Sequence, residues 1–278
     1  MMVFKSDLQA RFVKFAQAKC LPYLVELPLF KPHAERVAVV VLGSAATGLC
    51  VPGSDLDMAV IADQPTYEAI SQDPAWNGGL LWEIKIDGVL LQYLCRTYDR
   101  IEALCRSLDD SYIYHYGNAI ILRDPQGRYA QFQAWLKANQ AQLRKQRLEG
   151  KLDLLRRRYS SLGASLRAFD PLASAATCIE MIALAIKVTA LLDDVPFDYR
   201  KRLLSTGLAG KTGYRIEGGV RQLFTLAGEM GQLQPGLSPS AFMFPTRIAA
   251  IIDILSEEAR KQGFRVGLER PDPRCAET

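Results

Sequence analysis

Residues 37–62 read VAVVVLGSAATGLCVPGSDLDMAVIA, and this stretch decides the fold of the first half of the chain. Val37 to Leu42 is a short, mostly β-branched run, which predicts a buried strand. The run ends at Gly43-Ser44, where a residue without a Cβ lets a ligand come close to the backbone. Ala45 to Gly53 is too rich in Gly, and carries Pro52, to hold a long element. Leu56 to Ala62 predicts a second strand. Side chains alternate along a strand, so Asp55 and Asp57 share one face. Two carboxylates placed side by side repel unless a positive charge lies between them. Magnesium suits that place, as a hard cation with oxygen ligands that is often shared with substrate phosphates. Ser44 adds a hydroxyl donor, and the N–H groups after it form an anion-binding turn or the start of a helix.

The flanks supply the rest of a small domain. On the N-terminal side, Leu8, Phe12, Phe15 and Ala16 stand at helical spacing behind a cap at Ser6 or Asp7. On the C-terminal side, Thr66 to Ser71 predicts a short helix. Leu80 to Arg96 then reads as a hairpin turning at Asp87-Gly88, a two-residue loop of type I′. With that loop, Ile86 pairs with Val89 and Glu83 lies directly opposite Gln92 on one sheet face. The turn itself accounts for Asp87. Thr97 caps a helix to about Leu108, Ala119 to Leu122 is a further apolar run, and Asp124-Pro125-Gln126-Gly127 is a turn.

After that turn strand signals fade, and helical patterns cover 128–169, 173–193, 198–206, 215–230 and 239–262. The expected fold is α+β: a small mixed-sheet domain over 1–125, an all-helical domain over 126–268 and a loose tail over 269–278. Ala173 to Leu192 is the most apolar stretch, but Glu180 and Lys187 interrupt it, so it reads as a buried core helix and no membrane partner is expected.

Composition narrows the classes. With 278 residues, 49% apolar and 23% charged, the chain can bury a sizeable core. A net charge of +4 gives no reason to expect nucleic acid as a partner. The six cysteines form no C-x-x-C pair and only His33 and His115 accompany them, so a zinc site has no spacing signature here. Scattered cysteines point to reduced, buried thiols and a cytoplasmic protein. Charges inside Met1 to Leu21 argue against a signal peptide.

Gly43, Ser44, Gly48, Ser54, Asp55 and Asp57, at these spacings, resemble the nucleotidyltransferase signature of the DNA polymerase beta superfamily. The resemblance implies a small mixed sheet, Mg2+ (two ions) at Asp55 and Asp57, and a nucleoside triphosphate, ATP first, gripped by Gly43, Ser44, Gly48 and Ser54. An acceptor hydroxyl then attacks the α-phosphate and pyrophosphate leaves. The family's third carboxylate falls near Gln92, a neutral amide and a poorer magnesium ligand. Glu83 is either its replacement at the metal or an exposed acid on the hairpin. The helical second half resembles that of aminoglycoside-type bacterial enzymes. There Lys201, within Arg200-Lys201-Arg202, either touches phosphate or begins a solvated basic helix. Glu180 is either a general base or the partner of Lys187. Arg144 to Arg158, with seven Lys/Arg against Glu149 and Asp153, lines a cleft for an anionic acceptor or forms a solvated face. His115, within Tyr112 to Tyr116, reads as a packing residue.

The function expected on this basis is metal-dependent transfer of a nucleoside monophosphate, AMP first, to a hydroxyl on a small molecule or a protein. The alternative is a nucleotide-binding regulatory protein that lost turnover with its third carboxylate. An RNA 3′ end is a further acceptor, because Thr47-Gly48-Leu49 and Pro52 also resemble the motif of non-canonical poly(A) and poly(U) polymerases.

Overall fold

The computed structural model describes residues 6–79, 81–167, 170–195, 197, 203–230 and 239–267. The chain divides into two compact units, Met1–Gln140 and Ala141–Thr278.

In the first unit, Ser6 caps helix α1 (Asp7–Phe15), accepting from the Gln9 N–H at 3.1 Å. The helix runs on through a π turn (Ala16–Cys20) into α2 (Leu21–Glu26), and a 3-10 turn (Lys31–Arg36) leads to strand β1 (Ala38–Val41). Then come α3 (Gly43–Thr47), β2 (Leu56–Ala62), α4 (Gln64–Ser71), β3 (Trp82–Ile86), β4 (Val89–Thr97), α5 (Tyr98–Arg106), α6 (Asp110–Gly117), β5 (Ile120–Arg123) and α7 (Arg128–Ala138).

The five strands make one mixed sheet in the order β3-β4-β2-β1-β5, with β2 parallel to β4 and the other neighbours antiparallel. β1 is an interior strand buried along its whole length, which explains its uninterrupted apolar run. One sheet face packs Val39, Val41, Leu56, Met58, Val60, Leu91 and Tyr93 against Ala16, Cys20, Leu24 and Phe30. At its edge Trp82 stacks flat on its register partner Tyr93, with ring centroids 5.4 Å apart. The hairpin follows the expected register: Asp87 and Gly88 have φ of 47° and 84°, as a type I′ turn requires, and Glu83 pairs with Gln92.

The division between the units lies beyond the turn at Asp124, and not at residue 125. α7 belongs to the sheet unit because Tyr129 Oη donates to Tyr116 O at 2.8 Å and Gln133 Nε2 to Ala119 O at 2.7 Å. The composition shift marks the last strand of the unit, not its end. The helix expected over 128–169 is two helices that break at Asn139, the C-cap of α7. α6 has no counterpart in the sequence reading. Its cap is Asp109, whose Oδ1 accepts from Tyr112 N at 3.0 Å.

Among its described residues the second unit has helices and no strand: α8 (Gln140–Arg167), α9 (Pro171–Leu192), α10 (Leu203–Gly207), α11 (Lys211–Met230) and α12 (Pro239–Lys261). α8 contributes Leu148, Leu152, Leu155, Tyr159, Leu162 and Leu166 to the core at steps of three and four. α9 is long and apolar enough to cross a membrane, but 67% of that apolar window is buried inside the structure. Asp193, just past α9, accepts from the N–H groups of Thr212 and Gly213 at 2.9–3.0 Å and so caps the first turn of α11 from outside it. Asp193→Ala is expected to lower the unfolding free energy of this unit by about 1–2 kcal/mol, read from urea unfolding. An unchanged midpoint would mean that the first turn of α11 needs no cap.

Candidate active site

Asp57 sits in β2 between the wholly buried Leu56 and Met58, which face the core. Asp57 is half-buried on the other face, and Asp55, also half-buried, extends the same alternation one residue before the strand. The pair therefore stands where the chain enters the sheet.

The bend after β1 lies directly against it. Leu42 N–H donates to Asp57 O at 2.8 Å, which ties the end of β1 to β2. Gly43 has φ +62°, and a Cβ built there would stand 2.1 Å from Asp57 Oδ2. Glycine is required twice over, by the left-handed backbone and by the carboxylate pressed against it. Ser44 follows, half-buried, and α3 carries the chain away for five residues to Gly48, which turns it at φ 77°. Inside α3, Thr47 Oγ1 donates to Gly43 O at 3.0 Å. Ser54 closes the return loop: its Oγ accepts from Val51 N–H at 2.9 Å, and its own N–H donates to Val51 O at 3.0 Å. The structure thus gives Gly48 and Ser54 turn-forming work, whereas Gly43 borders the Asp57 carboxylate and Ser44 follows it in the bend.

Register across the sheet locates Glu83. Asp57 pairs with Gln92, and Gln92 pairs with Glu83, so the three form one row across β2, β4 and β3. Neighbouring strands lie about 4.8 Å apart, which puts Glu83 roughly 10 Å from Asp57 along the row. Gln92 Nε2 fills the gap and donates to Glu83 Oε1 at 2.5 Å. Among the described residues, no group of three or more His, Cys, Asp or Glu side chains is placed to hold a metal ion. The structure therefore sets Asp57 against the bend, keeps Asp55 on the same face, and leaves Glu83 beyond β4, bonded to the Gln92 amide between them. A direct repair of the missing third carboxylate is not what this geometry supplies.

Two hard oxygen donors without an adjacent acid still suit a magnesium ion that completes its coordination with phosphate and water. Other reactive groups nearby are silent at neutral pH. Burial pushes the Cys95 thiol up to about 12, and burial, helped by Tyr23, pushes Tyr93 up to about 12.

Residues 28–114 match the family model of the nucleotidyltransferase domain. This segment is a nucleotidyltransferase domain. The match runs from the segment before β1 into α6 and contains every residue of the bend and the acidic pair. No curated protein matches the chain. A solved nucleotidyltransferase-like protein from Exiguobacterium sibiricum 255-15 is similar over 92% of this chain and 75% of its own, at 7% identity and a TM-score of 0.44. That likeness is too distant to inform the chemistry.

Outside the nucleotidyltransferase domain, the expected helpers are accounted for differently. Glu180 is half-buried on α9, and its Oε2 lies 3.0 Å from Arg158 Nε, so its ionic partner is Arg158. The basic run on α8 is divided: Lys145, Arg157 and Arg158 are exposed, whereas Arg144, Arg147 and Arg156 are half-buried. Arg144 donates to Leu191 O and Leu192 O at 2.6 and 2.8 Å, satisfying the carbonyl end of α9. Arg156 donates to Ser256 Oγ at 3.0 Å and to Gly267 O, Arg157 pairs with Asp153, and Arg147 lies over the Phe197 ring. Lys201, with Arg200 and Arg202, falls outside the described residues. His115 meets the edge of Tyr114 at 5.3 Å, beside the stacked pair Tyr112 and Tyr116, as a packing residue would.

Sequence reading also missed Gln9. It is 3% exposed, and its Nε2 donates to Ala45 O and Ala46 O at 3.0 and 2.9 Å. The signal was present: Gln9 heads the buried stripe Gln9, Val13, Ala16, Cys20 on the first helix, and a polar residue in such a stripe needs a partner.

Proposed function

We propose that this protein transfers a nucleoside monophosphate, AMP first, from a magnesium-bound nucleoside triphosphate to an acceptor hydroxyl, with release of pyrophosphate. The observation that carries the proposal is the Asp57 carboxylate lying against Gly43, so close that a Cβ there would meet Oδ2 at 2.1 Å. Asp55 and Asp57 would hold Mg2+, and the Ser44 hydroxyl with the backbone of its turn would hold the terminal phosphates. Magnesium bound there supplies charge neutralisation on the phosphates and a lower pKa for the attacking hydroxyl. The chain's own contribution is to fix the two carboxylates and the phosphate turn on one rigid strand pair, so that the α-phosphate is presented to the acceptor without reorganisation. The acceptor is a small hydroxylated molecule or a protein side chain.

A second reading has one specific observation in its favour: Gln92, opposite Asp57, is neutral, and the acid beyond it is tied to its amide. On that reading the protein binds metal–nucleotide and turns it over little or not at all. Pyrophosphate release with ATP and Mg2+ against a panel of acceptors, run beside calorimetric nucleotide binding, separates the two. Turnover that disappears on chelation supports transfer, and binding without pyrophosphate in every case supports the second reading.

Glu83 acts in this scheme through Gln92, by fixing which end of the amide faces β3. Glu83→Gln removes the charge that holds that orientation and is expected to lower turnover by roughly tenfold or more with nucleotide affinity kept. Full activity in that variant would take Glu83 out of the machinery.

A further inference from the structure

α3 is a helix of five residues, too short to satisfy its own carbonyl end. The N–H of Leu49, which in a longer helix would reach Ala45 O, goes to Ser44 O at 2.9 Å, because the chain turns at the left-handed Gly48. The Gln9 side chain comes in from α1, 36 and 37 residues away in sequence, and places Nε2 on Ala45 O and Ala46 O. It does so from inside the core, at 3% exposure, where a carbonyl robbed of its donor finds no ready water. A glutamine spaced three residues after the Ser6 cap would ordinarily read as half of a capping box, and this conceals the long-range contact.

We propose that Gln9 is the positioning residue of the Gly43–Ser44 turn: its amide clamps the carbonyl end of α3, and the clamp holds Ser44 in register with Asp57. The proposal rests on reading that turn as the phosphate grip. The amide is suited to the task because both acceptors are carbonyl oxygens. Glutamate at the same place would turn lone pairs on lone pairs, and methionine, of similar length, would offer no donor.

The test compares the full-length wild type with Gln9→Met, with the milder Gln9→Asn in case the first does not fold, and with Tyr129→Phe as a control. The control loses another buried hydrogen bond in the same unit, from Tyr129 Oη to Tyr116 O. Gln9→Met is expected to speed amide hydrogen exchange over residues 45–49 by about tenfold or more, while the interior of β2 exchanges as before. It is also expected to weaken calorimetric ATP–Mg2+ binding by about tenfold. Tyr129→Phe lowers global stability and leaves both readouts at wild-type values. Exchange over 45–49 that follows global stability alone overturns the clamp. Unchanged ATP affinity, with a loosened turn and a wild type that binds, overturns its part in positioning. If the wild type binds no nucleotide, the phosphate grip fails separately, and the exchange comparison still decides whether Gln9 clamps the turn.

Discussion

Asp57→Asn is expected to cut nucleotidyl transfer by about a thousandfold or more while leaving the fold intact. Asp55 and Asp57 share one face where the chain enters the sheet, and the residue across the row from Asp57 is the neutral Gln92. If the pair holds Mg2+ as proposed, replacing one of its two anionic oxygens by an amide removes several kcal/mol of metal–phosphate stabilisation, and each 1.4 kcal/mol is about tenfold in rate. The substitution also removes one of two neighbouring negative charges. Without divalent ions, the variant should therefore melt at the wild-type temperature or above it. Pyrophosphate release and thermal unfolding, with and without Mg2+, give the two readouts. An active Asp57→Asn would show that the pair does not hold the metal. A variant that loses activity only because it unfolds would show a lower melting temperature in the metal-free arm, against the charge argument.

Gly43→Ala should be nearly as damaging, by another route. The new methyl would stand 2.1 Å from Asp57 Oδ2 and 3.0 Å from its Cγ, so the carboxylate has to rotate away or the bend has to move. Alanine at φ +62° adds about 1–2 kcal/mol of left-handed strain. A displacement of the order of 1 Å at a reacting centre costs about a hundredfold, which is the expected loss in turnover, together with a lower urea midpoint. The double variant Gly43→Ala/Asp57→Asn tests the cause. If the methyl acts by moving the carboxylate, the two losses will be far from additive, and the double variant will be little worse than Asp57→Asn alone. Additive losses would place the role of Gly43 in the backbone and not in its contact with Asp57.

The parts of the fold that local rules govern were legible in the residues. A β-branched run ending in Gly43-Ser44 became the interior strand β1 and its bend. Asp87-Gly88 set a type I′ turn, and the turn alone dictated that Glu83 would face Gln92. Thr97 caps its helix through Oγ1, which accepts from Arg100 N at 3.2 Å. The acidic pair followed from strand alternation. Pairing across chain distance was not legible. In sequence Glu180 reads as a general base or as the partner of Lys187, and the structure sets it against Arg158 of α8. Arg144 to Arg158 looked like surface charge because sequence shows a charge and not the acceptor it meets.

The sequence by itself therefore determined the strand, the glycine bend, the two carboxylates and the hairpin register, since each depends on a backbone period or a turn a few residues long. Only the tertiary structure decided that Gln9 reaches the carbonyls of α3, that Arg144 closes α9 and that α7 belongs with the sheet. These are matches between buried donors and acceptors brought together by the path of the whole chain. Their cost falls on whichever group is left unpaired, and no local pattern records that.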